Sequence, residues 1–513
     1  MIFEYFLRFS DAAKFADVAR NLVTKGIYGL SFTFGGSRPY NVAGLPFFNS
    51  TGVPPVTPFS IAALFKVFGV NDFAVIATSF LYFLLTLIFV FLLTKKVFKS
   101  DLTAILSTFA IGFNYDLVNY ATSGASESPF IFEIVATAYF ISLRRRWGTV
   151  VAVIFAMLMY FTRPQAFIYI AGLILYWLLI NFKTKKALMF FGLTIVLGLL
   201  VDRFMLTPLS GRFFLYSIAA RGQNSLTQYL PGTAVSNTLR GQVTNVSTID
   251  LVKKIFYNLY NFYKLVPQII NPYLFALFVI GLFGWGRDKV QNSFKVASAF
   301  VVIVTLLVTA ASIPFFRYIH PIIPLVYIIA VVTLVEIIGQ FSKSRKFIVL
   351  SSTFLILALG VGQTTGIIFL DSRFEMNTHN IGKPPVYVLL SQILKTNTQS
   401  NQIIITNLDT WGTWYGERKT VWFPLEPKQI IDPATGKIPF DAIYLTSYLI
   451  DDENYYMGTD WRQIFNNPTD SKKWVCNGCS EIAKEFKLKG TFDIPAAQDY
   501  EKQDANAVLL IKK

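Results

Sequence analysis

Ionisable side chains are sparse in this sequence, and six of them fall at the edges of long apolar runs or within them. Asp11 opens the stretch Asp-Ala-Ala-Lys-Phe-Ala-Asp-Val-Ala-Arg-Asn-Leu, a short predicted helix. A carboxylate at a helix start can complement the dipole or take a proton from a hydroxyl. Asp17 lies about 240° further round that helix, off the Asp11 face, and reads as solvated. Glu127, in Gly-Ala-Ser-Glu-Ser-Pro-Phe, stands at the mouth of an apolar run, as a capping carboxylate or an acidic site residue. Glu133 is about 9 Å deeper on the same helix, at a depth where an ionisable group faces protein and pairs with an internal polar group. Arg163, in Thr-Arg-Pro-Gln, and Arg317, in Phe-Phe-Arg-Tyr-Ile-His-Pro, also stand at run boundaries. An arginine there either snorkels to headgroups or grips a lipid phosphate with its planar donor fork.

The elements that carry these residues are membrane helices. The chain is 53% hydrophobic with 50 Phe and only 15% charged residues among 513, against about a quarter charged in a soluble domain. Segments of roughly 20 apolar residues can span a bilayer, and the candidates are 72–94, 101–114, 127–143, 147–163, 164–181, 187–206, 267–285, 294–313, 320–340 and 347–370. The fold class is therefore a polytopic α-helical membrane protein with about ten spans. The net charge of +16 sets topology rather than binding nucleic acid, because the basic residues cluster in short loops. Five alternate loops carry three each: Lys95, Lys96, Lys99; Arg144, Arg145, Arg146; Lys183, Lys185, Lys186; Arg287, Lys289, Lys295; and Lys343, Arg345, Lys346. The opposite short loops carry only Arg163 and Arg317. The first set faces the cytoplasm by the positive-inside bias, which predicts a multi-pass plasma-membrane protein with Asp11, Glu127, Arg163 and Arg317 on the extracytoplasmic side.

Three longer segments then lie outside. Residues 1–71 form an outer loop with juxtamembrane helices. With six basic residues and three acidic ones, this segment translocates poorly unaided, and a missing first spanning helix is expected. The transmembrane domain, 72–370, contains the outer loop 207–266, whose end from Asp250 to Lys264 reads as an amphipathic surface helix. Residues 371–513 form a small extracytoplasmic α/β domain, with strand-like runs at Ile403–Thr406, Thr420–Phe423, Ala442–Thr446 and Ala507–Ile511. Cys476 and Cys479 make one Cys-Asn-Gly-Cys pair with no second pair nearby, so a local disulfide or two idle thiols are expected rather than a four-ligand zinc site.

The order of these motifs resembles the GT-C membrane glycosyltransferases, in particular glycosyltransferase family 39, which holds the protein O-mannosyltransferases and the lipid A aminoarabinose transferases. Asp11 with Phe15, Ala19, Arg20 and Asn21 is similar to the acidic first-outer-loop motif. Pro54-Pro55-Val56-Thr57-Pro58-Phe59, followed by Leu64 to Gly69, resembles the Pro-Pro segment and juxtamembrane helix. Glu127 near Pro129, Thr162-Arg163-Pro164 and Arg317-Tyr318 match later landmarks, and Asn407 to Pro424 is similar to the tail of bacterial members. The departures are the absent first span, Phe15 in place of a usual Tyr, and Gly52 and Val53 where a Lys or His would precede Pro54. No phosphate contact is carried over at that last point.

The resemblance implies an inverting transferase that uses a polyprenyl-phosphate sugar donor and a protein, lipid or glycan acceptor. Asp11 would be the general base. Glu127 would orient acceptor or donor, or help hold a divalent metal ion if one is used. Arg163, Arg317 and Tyr318 would bind the lipid phosphate. Two other roles compete: a transporter or lipid flippase, which favours midplane charges and inverted repeats, and a non-catalytic membrane scaffold that binds glycan through its tail.

Overall fold

A computed structural model of the chain describes residues 6–33, 38–43, 48–49, 53–181, 184–207, 225–226, 247–286, 288–370, 384–450, 457–495 and 505–513. Arg287, Lys183, most of the loop 207–266 and the start of the tail at 371–383 lie outside the described residues.

Helix α1 (Ser10–Lys25) and helix α2 (Val56–Phe68) precede the bundle. The bundle comprises α3 (Asp72–Phe98), α4 (Asp101–Gly112), α5 (Tyr115–Ala121), α6 (Glu127–Ser142), α7 (Arg146–Tyr160), α8 (Ala166–Asn181), α9 (Thr184–Val201), α10 (Thr248–Ile269), α11 (Pro272–Phe283), α12 (Lys289–Ala311), α13 (Ile323–Phe341) and α14 (Arg345–Leu370). Among the described residues, α3, α12 and the segment Phe316–Phe341 that ends in α13 are long and apolar enough to cross a membrane. Helix α3 shows why its residues stop and start where they do. The Asn71 side chain accepts from the Ala74 N–H at 2.9 Å, and Lys95 and Lys96 complement the dipole at the other end.

A helix stands at each of the ten predicted spans, but the expected span 267–285 is broken. Helix α10 runs through its start and ends at Ile269, and α11 begins at Pro272. Proline at a first helical position cannot continue a preceding helix, and the Asn271 side chain caps the new one by accepting from Tyr273 N and Leu274 N. The amphipathic reading of Asp250 to Lys264 matches α10. A Ser247–Asp250 capping box opens it, and Ile249, Phe256, Tyr260 and Tyr263 leave an exposed apolar stripe along one side.

The other body is a six-stranded sheet in the order β2-β5-β4-β6-β8-β7, with β2 (Phe32–Thr33), β4 (Ile403–Thr406), β5 (Lys419–Trp422), β6 (Ala442–Thr446), β7 (Phe486–Ile494) and β8 (Ala505–Lys512). The first four in that order are parallel and the last two antiparallel, with Phe32 opposite Thr420, Ile405 opposite Ile443 and Ile443 opposite Leu510. A separate pair joins β1 (Gly29–Leu30) to β3 (Phe48–Asn49). Strands stand at all four predicted runs, while β1, β2, β3 and β7 were not expected. Strand β2 weaves the amino-terminal segment into the edge of the carboxy-terminal sheet. The buried core follows this: Ala12, Phe15, Ala16 and Ala19 of α1 pack in one apolar cluster with Leu390, Trp411 and Ile443. A second cluster fills the bundle. Cys476 and Cys479 are joined by a disulfide.

Candidate active site

The site assembles where α1, the start of α6, the turn after α7 and the turn before α13 meet. Asp11 sits in the first turn of α1, which settles close to the bundle beside Gly124. That residue has φ of +75°, and a Cβ on it would lie 2.8 Å from Val75 Cγ1 and 3.2 Å from Ala12 Cβ. Glycine here meets both the left-handed backbone and the close approach. Three residues on, Glu127 begins α6 and is fully buried. Arg163 follows the α7 turn, and Arg317 lies in a 3-10 turn, Phe316–Tyr318.

One hub links the four. Glu127 Oε1 accepts from Arg163 Nη1 at 2.6 Å and from Arg317 Nε at 2.9 Å. Arg317 Nη2 reaches on to Asp11 Oδ2 at 2.7 Å. A single guanidinium therefore spans from Asp11 to Glu127. Arg163 also donates to Ser126 Oγ at 3.1 Å and to Gln165 Oε1 at 3.2 Å. The Tyr318 ring lies 5.6 Å from the Arg163 guanidinium and 5.9 Å from that of Arg317, which favours both cations through its π face. The two ion pairs differ in exposure. The Arg163–Glu127 side chains are 6% and 1% exposed, whereas Arg317 and Asp11 are 28% and 40% exposed.

The Asp11–Arg317 pair opens on a cavity of about 520 Å³. Lys14, Ser126 and Gln165 line its polar end with Asp11, Arg163 and Arg317; Phe167, Ile168, Val308 and Ile313 line the other. Phe167 and Val308 are also 47% and 43% exposed, so the apolar end reaches the outer surface of the bundle. Burial raises the Asp11 pKa, but the Arg317 guanidinium, then Lys14, and then Arg163 outweigh it and hold the carboxyl well below its ordinary range. Behind the hub, His320 Nδ1 lies 2.5 Å from Tyr120 Oη, and its Nε2 is 3.5 Å from Asp116 Oδ2.

A divalent ion does not fit this arrangement. A guanidinium occupies the space between the two carboxylates, and among the described residues there is no group of three His, Cys, Asp or Glu side chains that could hold a metal.

All five residues singled out from the sequence, Asp11, Glu127, Arg163, Arg317 and Tyr318, converge here, although Glu127 stands behind the arginines rather than on the cavity wall. Lys14, Ser126, Gln165, Tyr120 and His320 were missed; Lys14, three residues after Asp11, shares its helix face. The solvated reading of Asp17 is corrected. Its side chain is fully buried, pairs with Arg20 at 2.5 Å and accepts from Ser31 N at 2.6 Å. The helix face opposite the cavity packs on protein, so leaving the Asp11 face does not mean entering water. Glu133 does face protein: it is 1% exposed, with Thr162 Oγ1 2.8 Å from its Oε1.

Residues 52–202 match the family described as dolichyl-phosphate-mannose-protein mannosyltransferase. Two crystal structures of ArnT from Cupriavidus metallidurans share the fold. The apo form is 12% identical with a TM-score of 0.51, and the undecaprenyl phosphate-bound form 11% identical with 0.53; each comparison covers 99% of this chain and 94% of the other. An uncharacterised protein of Aquifex aeolicus (strain VF5) is 23% identical over 222 residues, which span 42% of this chain and 40% of that relative. The chain is thus an integral membrane protein that shares the fold of ArnT. Among the GT-C glycosyltransferases it resembles family 39, through the mannosyltransferase segment and the fold of the aminoarabinose transferase ArnT.

Proposed function

We propose that this protein is an inverting glycosyltransferase that moves a sugar from a polyprenyl-phosphate donor to an acceptor hydroxyl on the extracytoplasmic face, through a bundle of about ten membrane crossings. The observation that carries this reading is the two-ended cavity: a carboxylate and two guanidiniums at one end, an apolar wall open to the bundle exterior at the other. The prenyl chain lies along Phe167, Ile168, Val308 and Ile313, and the phosphate meets Arg317, Arg163 and Tyr318. ArnT, of like fold, has been crystallised with undecaprenyl phosphate.

Asp11 takes the proton of the acceptor hydroxyl as its oxygen attacks the anomeric carbon. The sugar–phosphate C–O bond breaks on the opposite face, and polyprenyl phosphate leaves with the bond electrons. Arg317 and Arg163 offset that negative charge. Glu127, buried behind them, holds both guanidiniums in place. The acceptor hydroxyl belongs to a protein, a lipid or a glycan.

The test is incubation of the purified protein with a panel of polyprenyl-phosphate sugars, following donor loss. Asp11→Asn is expected to abolish that loss with the thermal transition retained. If no donor in the panel is consumed by the wild type, or if Asp11→Asn turns over normally, the reading falls. A transporter or scaffold would tolerate Asp11→Asn.

A further inference from the structure

The groups of the proposed reaction are divided between two bodies. Glu127, Arg163 and Arg317 belong to the bundle, whereas Asp11 rides on α1, whose apolar residues pack in the same core as the sheet. Helix α1 has no side-chain cap of its own at Phe9. Its start is gripped instead by the short segment Thr410–Tyr415, which enters and includes helix Trp411–Trp414. Thr410 Oγ1 donates to Ser10 O at 2.7 Å, one residue before Asp11. Tyr415 Oη accepts from Leu7 N at 2.8 Å, and Tyr387 Oη donates to Leu7 O at 2.9 Å. Further along α1, Arg20 donates to Thr413 O at 2.7 Å and to Trp414 O at 3.1 Å.

The same segment is also anchored to the bundle. Asp72, the first residue of α3, accepts from Trp414 Nε1 at 2.6 Å and from Tyr415 Oη at 2.8 Å. The Trp414 ring stacks on Phe65 of α2, with centroids 6.0 Å apart and planes 6° apart. Tyr415 thus touches both sides at one atom: its hydroxyl proton goes to Asp72 on a membrane helix, and its lone pair takes the Leu7 N–H ahead of the base.

From this geometry we infer that Thr410 and Tyr415 are positioning residues for Asp11, so that the carboxy-terminal sheet domain sets the distance between the base and the donor phosphate held by the bundle. The inference rests on the transferase reading above for its kinetic consequence, though not for its structural one. Neither residue touches the cavity. Each acts through the backbone of Leu7 to Asp11, where a small displacement misaligns the base more than it disturbs the arginines.

Thr410→Val removes the hydroxyl at nearly constant shape, Thr410→Ser restores it, and Tyr415→Phe removes both of its hydroxyl bonds. Loss of one hydrogen bond at this point is expected to lower kcat by about three- to tenfold. The KM for donor stays within about twofold, because the phosphate ligands are untouched. The acid limb of the kcat/KM profile moves up towards the ordinary carboxylate range as Asp11 shifts from Arg317. Thr410→Ser returns both readouts to wild type. Amide hydrogen exchange gives a second measurement free of activity: residues 7–14 exchange faster in Thr410→Val and Tyr415→Phe than in the wild type or Thr410→Ser. Wild-type kcat and pH profile in Thr410→Val, or unchanged exchange over residues 7–14 in both variants, would overturn the inference. If the wild type consumes no donor while exchange over residues 7–14 responds as described, the transferase reading fails and the mechanical coupling stands.

Discussion

Arg163 and Arg317 share one carboxylate oxygen, yet their surroundings assign them different work. Arg163 and Glu127 form a closed pair, 6% and 1% exposed. An uncompensated charge in so buried a place costs about 3–5 kcal/mol; without Arg163, Glu127 keeps Arg317 as a partner at 2.9 Å, so part of that cost is expected. Arg163→Ala, which empties the more buried site, should therefore lower the thermal transition in detergent more than Arg317→Ala does. Arg317→Ala should act instead on the donor, weakening its affinity by the value of a charge-assisted bond, about 1.5–3 kcal/mol. Equal losses of stability in the two variants would return both arginines to a structural role. The Asp11–Arg317 pair also predicts a pH dependence. A carboxyl whose pKa is depressed in the folded state adds stability that is complete above its unfolded pKa, about 3.9, and is lost as pH falls through the lower folded value. The difference in melting temperature between wild type and Arg317→Gln should thus hold steady from neutral pH down to about 5 and shrink below about 4. These residues were legible in the sequence because a charge at a membrane boundary is costly and must be compensated. Lys14 and Asp17 were not, because only the tertiary structure shows which face of α1 meets the cavity and which is roofed by the sheet.

At the scale of elements, close helix approach explains what periodicity cannot reveal. A Cβ at Gly172 of α8 would collide with Val301 Cγ2 of α12, and one at Gly281 of α11 with Thr333 Oγ1 of α13. Small residues let membrane helices pack at backbone distance. Gly172→Ala should destabilise the bundle by about 1–3 kcal/mol through overpacking, read as a lower unfolding temperature, while Gly198→Ala, with open space around it, should be neutral. Apolar length located helices at all ten expected runs, but it joined α10 to α11 because hydropathy is blind to the backbone break at Asn271-Pro272. Strand β7 carries a readable alternation, Phe-Lys-Leu-Lys-Gly-Thr-Phe-Asp-Ile, with its larger apolar residues on the less exposed face. Gly490 leaves its centre without an apolar side chain, and the pairing register shifts between Leu488 and Gly490. Strand β2 has two residues, too few for any period to register, and its pairing comes from α1 delivering the chain to the sheet edge.

For the whole molecule, the question is which end faces which compartment, since the chemistry proposed needs the sheet, Asp11 and the arginines on the side where the lipid-linked sugar is presented. The charge pattern and the three-dimensional arrangement bear on this independently. Lys99, just past the end of α3, pairs with Asp288, just before α12, at 2.7 Å. Two of the five basic loops therefore meet at one end of the bundle. Lys295 adds a bond to Gly284 O at 2.7 Å there. Arg163 and Arg317, the two basic residues of the opposite short loops, meet at Glu127 beneath α1 and the sheet. These contacts agree with the alternating loops for two of the five basic clusters and for the Arg163–Arg317 pair. Because loop Lys and Arg residues are retained in the cytoplasm, the sheet should lie outside. The prediction is read by single cysteines in a background where Cys476 and Cys479 are replaced by Ser. A membrane-impermeant maleimide should label Ser400→Cys, exposed beside β4, in intact cells. It should label Lys99→Cys, whose side chain is 74% exposed, only after permeabilisation. The reverse pattern would put the cavity in the cytoplasm, where its apolar mouth would still admit a lipid but the extracytoplasmic transfer proposed for Asp11 could not occur.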